Sequence, residues 1–191
     1  LRLASSELIE IIARSNLDLS SKLQGSLVEN LNDNLRQPHE NIQRASTKAL
    51  RCFLHTYFPI KTCASQRLQD LTVSKYMEGL RAEQNVAITR GYTLALGSLP
   101  AKLVLLPEGK FFEVFDLLQD YARQDKLIMG EPDIETRRNA LEAMIELVER
   151  MRPFIGKTLD VSIYAKLFQI LFAACEDYSV DKRGDTGSWC R

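Results

Sequence analysis

The stretch EQNVAITRGYTLALGSLP, residues 83–100, contains a short motif that occurs three more times along the chain. Each copy has an arginine, a compact residue directly after it, a small residue five positions after it, and then a large apolar residue. The arginines lie 46, 48 and 45 residues apart, and they are Arg44, Arg90, Arg138 and Arg183. A nearly fixed interval of this kind indicates a chain built from structural repeats.

The repeat length predicts an all-α solenoid of helical hairpins. Intervals of roughly 40–47 residues are typical of HEAT and armadillo arrays, and no stretch alternates apolar and polar residues long enough to require a strand. We expect about four repeats, the last one truncated, in a single array that is a fragment of a larger protein. The approximate units are 1–59, 60–100, 101–153 and 154–191.

Local signals predict where the helices begin and end. A stretch with apolar residues at helical spacing ends shortly before each of four prolines, which are Pro38, Pro59, Pro100 and Pro153. Proline disfavours continuation of a helix, so these positions mark helix ends. Asp133 is the predicted N-cap of a helix over residues 134–151. A second N-cap is predicted at Asp160, and a loop is predicted over residues 124–132.

The residue pattern also predicts how three helices pack. In the helix over residues 3–14, the predicted packing face carries Leu3, Leu8, Ile11 and Ile12. The run over residues 161–172 has few polar residues, so we expect it to be covered on both sides. Gly91 and Gly97 lie inside a predicted helix, where glycine costs about 0.5–1 kcal/mol relative to alanine, so we expect a neighbouring backbone to approach closely there.

Composition and motifs together point to binding through a local surface, without a nucleic-acid field and without a catalytic motif. The 25 basic and 25 acidic side chains cancel, so no overall field attracts nucleic acid or an acidic membrane. The most apolar run, residues 163–175, is too short to insert across a bilayer. Four cysteines without a CxxC pair predict free, buried thiols in a reducing cytosol, with no metal site. No catalytic or cofactor-binding motif is present.

Two interpretations remain open for the repeated arginines and for the aromatic residues. Arg44, Arg90 and Arg138 either form a structural ladder that bonds acidic groups of adjacent units or contact a partner protein. Trp189 is either a core residue or an interface anchor, and the cluster of Phe111, Phe112 and Phe115 is either core or groove. The candidate partner-binding residues are Arg183, Asp185, Trp189 and Arg191.

Three segments go beyond generic HEAT character: residues 83–100, RRNALEAM at 137–144 and EDYSVDKRGDTGSWCR at 176–191. They resemble the tubulin-folding cofactor D family, also called tubulin-specific chaperone D. In that family RG-aromatic-x-LALG-x-LP is followed by DY-x-x-D-x-RGD-x-G-x-W-x-R, and both patterns are present here with the same spacing. The likeness extends more weakly over most of the chain and would correspond to part of the family's C-terminal half.

The resemblance implies a cytoplasmic chaperone and not an enzyme. Members bind β-tubulin and act with tubulin-folding cofactors C and E and an Arf-like small GTPase to assemble or dismantle the αβ-tubulin heterodimer. The family is associated with activation of GTP hydrolysis by tubulin, with microtubules and centrosomes, and with cell junctions. The alternatives are a HEAT scaffold for another client, such as a transport receptor or phosphatase scaffold, and an enzyme or GTPase activator that acts through an inserted arginine.

Overall fold

Helices dominate the chain in a computed structural model, which describes residues 1–58, 63–82, 85–105, 110–180, 184 and 187, with side chains left out for 63–71. In these ranges the helices are α1 (Arg2–Arg14), α2 (Ser21–Leu35), α3 (Glu40–Tyr57), α4 (Cys63–Arg81), α5 (Val86–Gly97), α6 (Ala101–Leu105), α7 (Phe111–Ala122), α8 (Ile134–Met151) and α9 (Ser162–Cys175). A short antiparallel hairpin pairs β1 (Leu127–Ile128) with β2 (Glu131–Pro132). A 3-10 turn, Arg152–Phe154, follows α8.

The helices form two layers. Layer B consists of α1, α3, α5 and α8, each in contact with the next. Layer A consists of α2, α4, α7 and α9, with the short α6 between α4 and α7. Because α2 packs on α3, α4 on α5 and α7 on α8, successive hairpins stack side by side. The predicted all-α solenoid is confirmed.

Local sequence explains the ends of most helices. Asp133 accepts a hydrogen bond from the Thr136 amide at 3.1 Å, which confirms the predicted N-cap of α8. Asn85 caps α5 in the same way, accepting from the Ala87 amide at 2.7 Å. The helices α2, α5 and α8 all end a few residues before a proline, as predicted.

The close backbone contacts predicted at glycine are confirmed. A β-carbon at Gly91 would collide with the carbonyl oxygen of Leu35 on α2. One at Gly97 would lie 2.7 Å from the Cα atom of Ala143 on α8. The two glycines therefore allow α5 to approach α2 on one side and α8 on the other.

Several local predictions are wrong. Residues 124–132 were expected to be a loop, but they contain the β1–β2 hairpin. The helix α9 begins one residue later than expected, because its N-cap is Val161 and not Asp160. The Asp160 side chain accepts a hydrogen bond from the Ser162 amide at 2.7 Å. The face of α1 that packs on the array consists of Ser6, Ile9, Glu10 and Ala13, and the predicted face is largely exposed.

The helix α9 is not covered on both sides. Phe168 is 56% exposed and Phe172 is 70% exposed, and their rings stack with centroids 6.4 Å apart. Only Ile163, Leu167 and Ala174 of this helix are buried. The sequence of α9 has no polar face, yet the outer side of this helix, with Phe168 and Phe172, is uncovered in this structure.

Candidate functional site: the layer B face and its arginines

Arg90 lies in the interior between two repeats. Its side chain is 5% exposed, and its Nε donates to the Asp133 carboxylate at 2.9 Å. A second guanidinium nitrogen lies 2.5 Å from a carboxylate oxygen of Glu135. Burial disfavours the charged form of Asp133, but hydrogen bonds from Arg90 and Thr136 outweigh burial and hold the pKa of Asp133 below its usual value. This arginine links α5 to the start of α8.

Arg44 and Arg138 lie at the surface and connect α3 to α8 across α5. Arg44 donates to Glu142 on α8 at 2.8 Å and to Glu40 on its own helix at 2.8 Å. Arg138 donates to the same Glu40 at 3.1 Å. The hydrogen bond from Arg44 is the main reason why the pKa of Glu40 is lowered. The two arginines thus form one surface network with two carboxylates.

The buried arginine of α8 is Arg137, which the repeat alignment did not select. Its side chain is 1% exposed, and it donates to Asp177 at 2.7 Å and to Ser179 at 2.8 Å. Asp177 also accepts from the Ser179 amide, just as Asp133 accepts from the Thr136 amide. Each of these aspartates therefore stabilises its own turn and binds the buried arginine of the preceding repeat.

A strict interval of 47 residues connects the buried polar residues Gln43, Arg90 and Arg137. Gln43 is fully buried, and its amide nitrogen donates to the carbonyl oxygen of Ala87 at 2.8 Å and to that of Leu35 at 3.0 Å. Because the repeats were aligned on arginine alone, the alignment selected Arg44 in place of Gln43 and Arg138 in place of Arg137. Searching for one strict interval, whatever the polar residue, would have found the interior set.

The candidate partner-binding residues Arg183, Asp185, Trp189 and Arg191 lie outside the described residues, so this interface stays a prediction. Next to them in the sequence, Asp177 is buried, while Tyr178 is 77% exposed. The Gly187 amide donates to the Ser179 carbonyl oxygen at 2.9 Å. Gly187 therefore lies against the turn that Arg137 holds.

A groove of about 440 Å³ lies on the layer B face. Leu94 and Gly97 of α5 form its floor together with Ala143 of α8. Charged side chains of α3 and α8 line the walls, and they are Arg44, Lys48, Arg51, Glu142 and Glu146. The groove therefore offers apolar and charged surface of both signs to a ligand.

Two arginines share one carboxylate at the end of this groove that lies nearest the C-terminal ends of α3 and α8. Arg51 lies 3.1 Å from one oxygen of Glu146, and Arg150 lies 3.1 Å from the other. Arg150 also donates to the Gly97 carbonyl oxygen. Burial, and then the charge of Arg51, lower the pKa of Arg150 to about 10. The same two arginines, after burial, hold the pKa of His55 below its usual value.

Other residues singled out in the sequence have ordinary environments. Phe111 and Phe115 are buried in the core, while Phe112 is 51% exposed. Cys52 is partly buried and Cys175 is exposed, both as free thiols, so the prediction of buried thiols is wrong for Cys175. In the part of the chain that the structure describes, no group of histidine, cysteine or acidic residues is arranged to hold a metal ion. Within the same ranges no helix is long and apolar enough to cross a membrane.

Comparison with known proteins gives one informative similarity. No protein-family model matches the chain, and no solved structure matches it. The chain is 27% identical over 180 residues to a protein from Dictyostelium discoideum described as "Tubulin-specific chaperone D". The alignment covers 84% of this chain and 12% of the length of that protein. At this modest identity, the comparison supports a relationship between the chain and one segment of tubulin-specific chaperone D.

Proposed function

We propose that this chain is a segment of a tubulin-folding chaperone and contributes to binding β-tubulin. The observation that carries the proposal is the similarity to a tubulin-specific chaperone along 84% of the chain. The fold suits this role, because stacked helical hairpins offer an extended surface on which many contacts with a large protein client can add up. The proposed place of action is the cytoplasm, with centrosomes and cell junctions as further sites.

The proposed mechanism is binding and not catalysis by this chain. Arg44, Arg90 and Arg138 are all engaged with carboxylates, so none of the three suits insertion into a nucleotide site, where an arginine must be available for phosphate. In this proposal the chaperone holds β-tubulin while cofactors C and E and an Arf-like small GTPase act on the αβ heterodimer. Activation of GTP hydrolysis by tubulin then belongs to the complex.

The proposal assigns a client interface to the last motif. Arg183, Asp185, Trp189 and Arg191 combine charged groups with a large aromatic side chain, and tryptophan and arginine are enriched among the residues that dominate binding energy. The neighbouring Tyr178 and Val180 are 77% and 55% exposed, which adds apolar surface beside this motif. Exposed apolar surface next to arginine and tryptophan is typical of a protein interface.

Affinity capture from cytosol with the full-length parent protein tests this function. We compare the wild type with the double variant Arg183→Glu, Trp189→Ala. A matched control is Arg81→Glu, Phe112→Ala, which changes an exposed arginine and an exposed aromatic residue of layer A. Circular dichroism establishes that both variants fold. We expect β-tubulin with the wild type and the control, and much less with the double variant.

The other outcomes separate the parts of the proposal. Equal recovery of β-tubulin with all three proteins would move the interface away from the last motif but keep the chaperone function. Recovery of transport cargo or phosphatase subunits in place of tubulin would contradict the chaperone function and indicate a scaffold for another client.

A further inference from the structure

We propose that the hairpin between α7 and α8 is a binding element that places the side chain of Met129 in an apolar pocket of β-tubulin. The turn of this hairpin is formed by Met129 and Gly130, and Leu127 lies beside it on β1. The inference rests on the proposed function, because it takes β-tubulin as the partner. It goes further by naming a second contact, separate from the last motif.

The turn has a backbone conformation that methionine rarely adopts. Met129 has a φ of 53° and Gly130 a φ of 85°, as in the type I′ turn that joins two strands through two residues. Both positions favour glycine, asparagine or aspartate, because most other side chains crowd the backbone at positive φ. In the described ranges the other non-glycine residue with positive φ is Asn16, which is of the favoured type. The preference of the turn therefore does not explain methionine at position 129.

Packing inside the protein does not explain this methionine either. Met129 is 63% exposed, while the other methionines of the chain are buried. Leu127 is 49% exposed, and between the two Ile128 is buried in the core. The hairpin is thus anchored by Ile128 and presents two apolar side chains to its surroundings. The flexible thioether of methionine adapts to irregular apolar surfaces, which is why methionine is common at protein-binding sites.

The hairpin makes one connection between the layers longer than the others. The connection from layer A to layer B covers residues 36–39 between α2 and α3 and residues 82–85 between α4 and α5, but residues 123–133 between α7 and α8. The first two hairpins of helices close with four connecting residues, so the extra length is not needed to join α7 to α8. Long connections with a structure of their own are commonly functional.

The hairpin lies at the same edge of the array as the last motif. It leads directly into α8, where Arg137 donates to Asp177 and Ser179 in the turn after α9. That turn continues in the sequence through the exposed Tyr178 and Val180 into the last motif. A client as large as tubulin that contacts the last motif can therefore reach the hairpin tip as well.

The surroundings of the tip favour a pocket in a protein over other partners. Arg123 lies 2.6 Å from Asp125, and Lys126 lies 3.0 Å from a carboxylate oxygen of Asp120. These two basic groups are therefore paired, and they supply no excess positive charge for a phosphate backbone or an acidic membrane. On β2, Pro132 has no amide hydrogen, which disfavours the addition of a further strand. The two apolar side chains at the tip fit an apolar pocket.

Replacement of Met129 by asparagine tests the site, because asparagine suits the turn but lacks the apolar side chain. We expect the full-length parent protein with Met129→Asn to bind purified αβ-tubulin roughly tenfold more weakly than the wild type does. Urea unfolding of the chain should give a midpoint equal to that of the wild type or higher. The matched control is Leu23→Gln on α2, where leucine is 45% exposed, and we expect its affinity to stay within about twofold of the wild type.

A second measurement uses the wild-type protein alone. Hydrogen peroxide converts the thioether of an exposed methionine to the sulfoxide, and mass spectrometry measures the extent at each position. Among the four methionines of this chain we expect Met129 to oxidise fastest and to be protected several-fold by bound tubulin. The internal controls are the buried Met77, Met144 and Met151, whose slow oxidation should not change.

Two results separate this contact from the proposed function. If Met129→Asn binds tubulin as tightly as the wild type, and bound tubulin does not protect Met129, the hairpin is not a contact, although the chaperone function stands. If the wild type itself does not bind tubulin, the proposed function fails together with the partner named here.

Three further results would assign Met129 another role and overturn the proposal. A lower unfolding midpoint for Met129→Asn would mean that the methionine side chain stabilises the protein itself. Binding to vesicles of acidic phospholipid that Met129→Asn abolishes would assign the tip to a membrane. Self-association that Met129→Asn abolishes, with unchanged affinity for tubulin, would make a second copy of the chain the partner.

Discussion

Arg137 and Arg138 are neighbours in the sequence, but they have opposite environments. The Arg137 side chain is 1% exposed and paired with Asp177, whereas the Arg138 side chain is 25% exposed and paired with Glu40. One residue along a helix is a rotation of about 100°, which is enough to move a side chain from the interior between repeats to the layer B face. Their contributions to stability should differ accordingly.

We expect Arg137→Gln to lower the free energy of unfolding by about 3 kcal/mol, because it leaves the buried Asp177 carboxylate without its charge partner. The control Arg138→Gln removes a surface ion pair and should cost less than about 1 kcal/mol. Urea unfolding of both variants, followed by circular dichroism, measures the difference. Equal losses would mean that the Arg137–Asp177 pair does not hold the last turn.

Repeat periodicity identified the right region of each helix, but it selected the interior residue only in α5, where that residue is Arg90. The intervals of 46 and 48 residues match the spacing of the helix N-caps, because His39, Asn85 and Asp133 lie 46 and 48 residues apart. The interior residues Gln43, Arg90 and Arg137 lie 47 residues apart. A difference of one residue between the two spacings means that each helix is rotated about its axis relative to its N-cap. That rotation depends on how the neighbouring helices pack. Asp133 was recognisable as a cap, but its bond to Arg90 joins two repeats and has no local signal.

Helix boundaries were largely predictable because caps and prolines act locally. The helix α8 covers Ile134–Met151, as its cap and proline predict. The burial of individual side chains was less predictable, because it depends on which other helix packs against them. Leu8 and Ile11 of α1 are 57% and 60% exposed although they form an apolar stripe. The β1–β2 hairpin is too short for its two-residue strands to show an alternating pattern.

Glycine substitutions test the packing of whole helices. Gly91→Ala should destabilise the chain by about 1–3 kcal/mol, because its methyl group would push α5 away from the Leu35 carbonyl of α2. Gly25→Ala is the control, since Gly25 lies inside α2 with no atom within 4 Å of an added β-carbon. It should stabilise by about 0.5–1 kcal/mol. Thermal unfolding that ranks the two variants in the reverse order would contradict the close approach of α2 and α5.

The molecule as a whole combines a charged layer B face with apolar ends. In the middle of the array, Arg44 and Arg138 form ion pairs that join α3 to α8 across α5. At one end α1 exposes Leu8 and Ile11, and at the other α9 exposes the stacked Phe168 and Phe172. With equal numbers of basic and acidic residues, little long-range repulsion keeps copies of the chain apart.

We therefore expect the 191-residue chain to self-associate through the outer face of α9. The double variant Phe168→Ser, Phe172→Ser should reduce association, because it removes the largest exposed apolar pair of that helix. Phe112→Ser is the control, since this exposed ring lies on α7, away from the ends of the array. Light scattering coupled to size exclusion, over a range of protein concentrations, measures the mass of each form. If the double variant associates as strongly as Phe112→Ser, the contact lies elsewhere, and the exposed α1 face with Leu8 and Ile11 becomes the surface to change next.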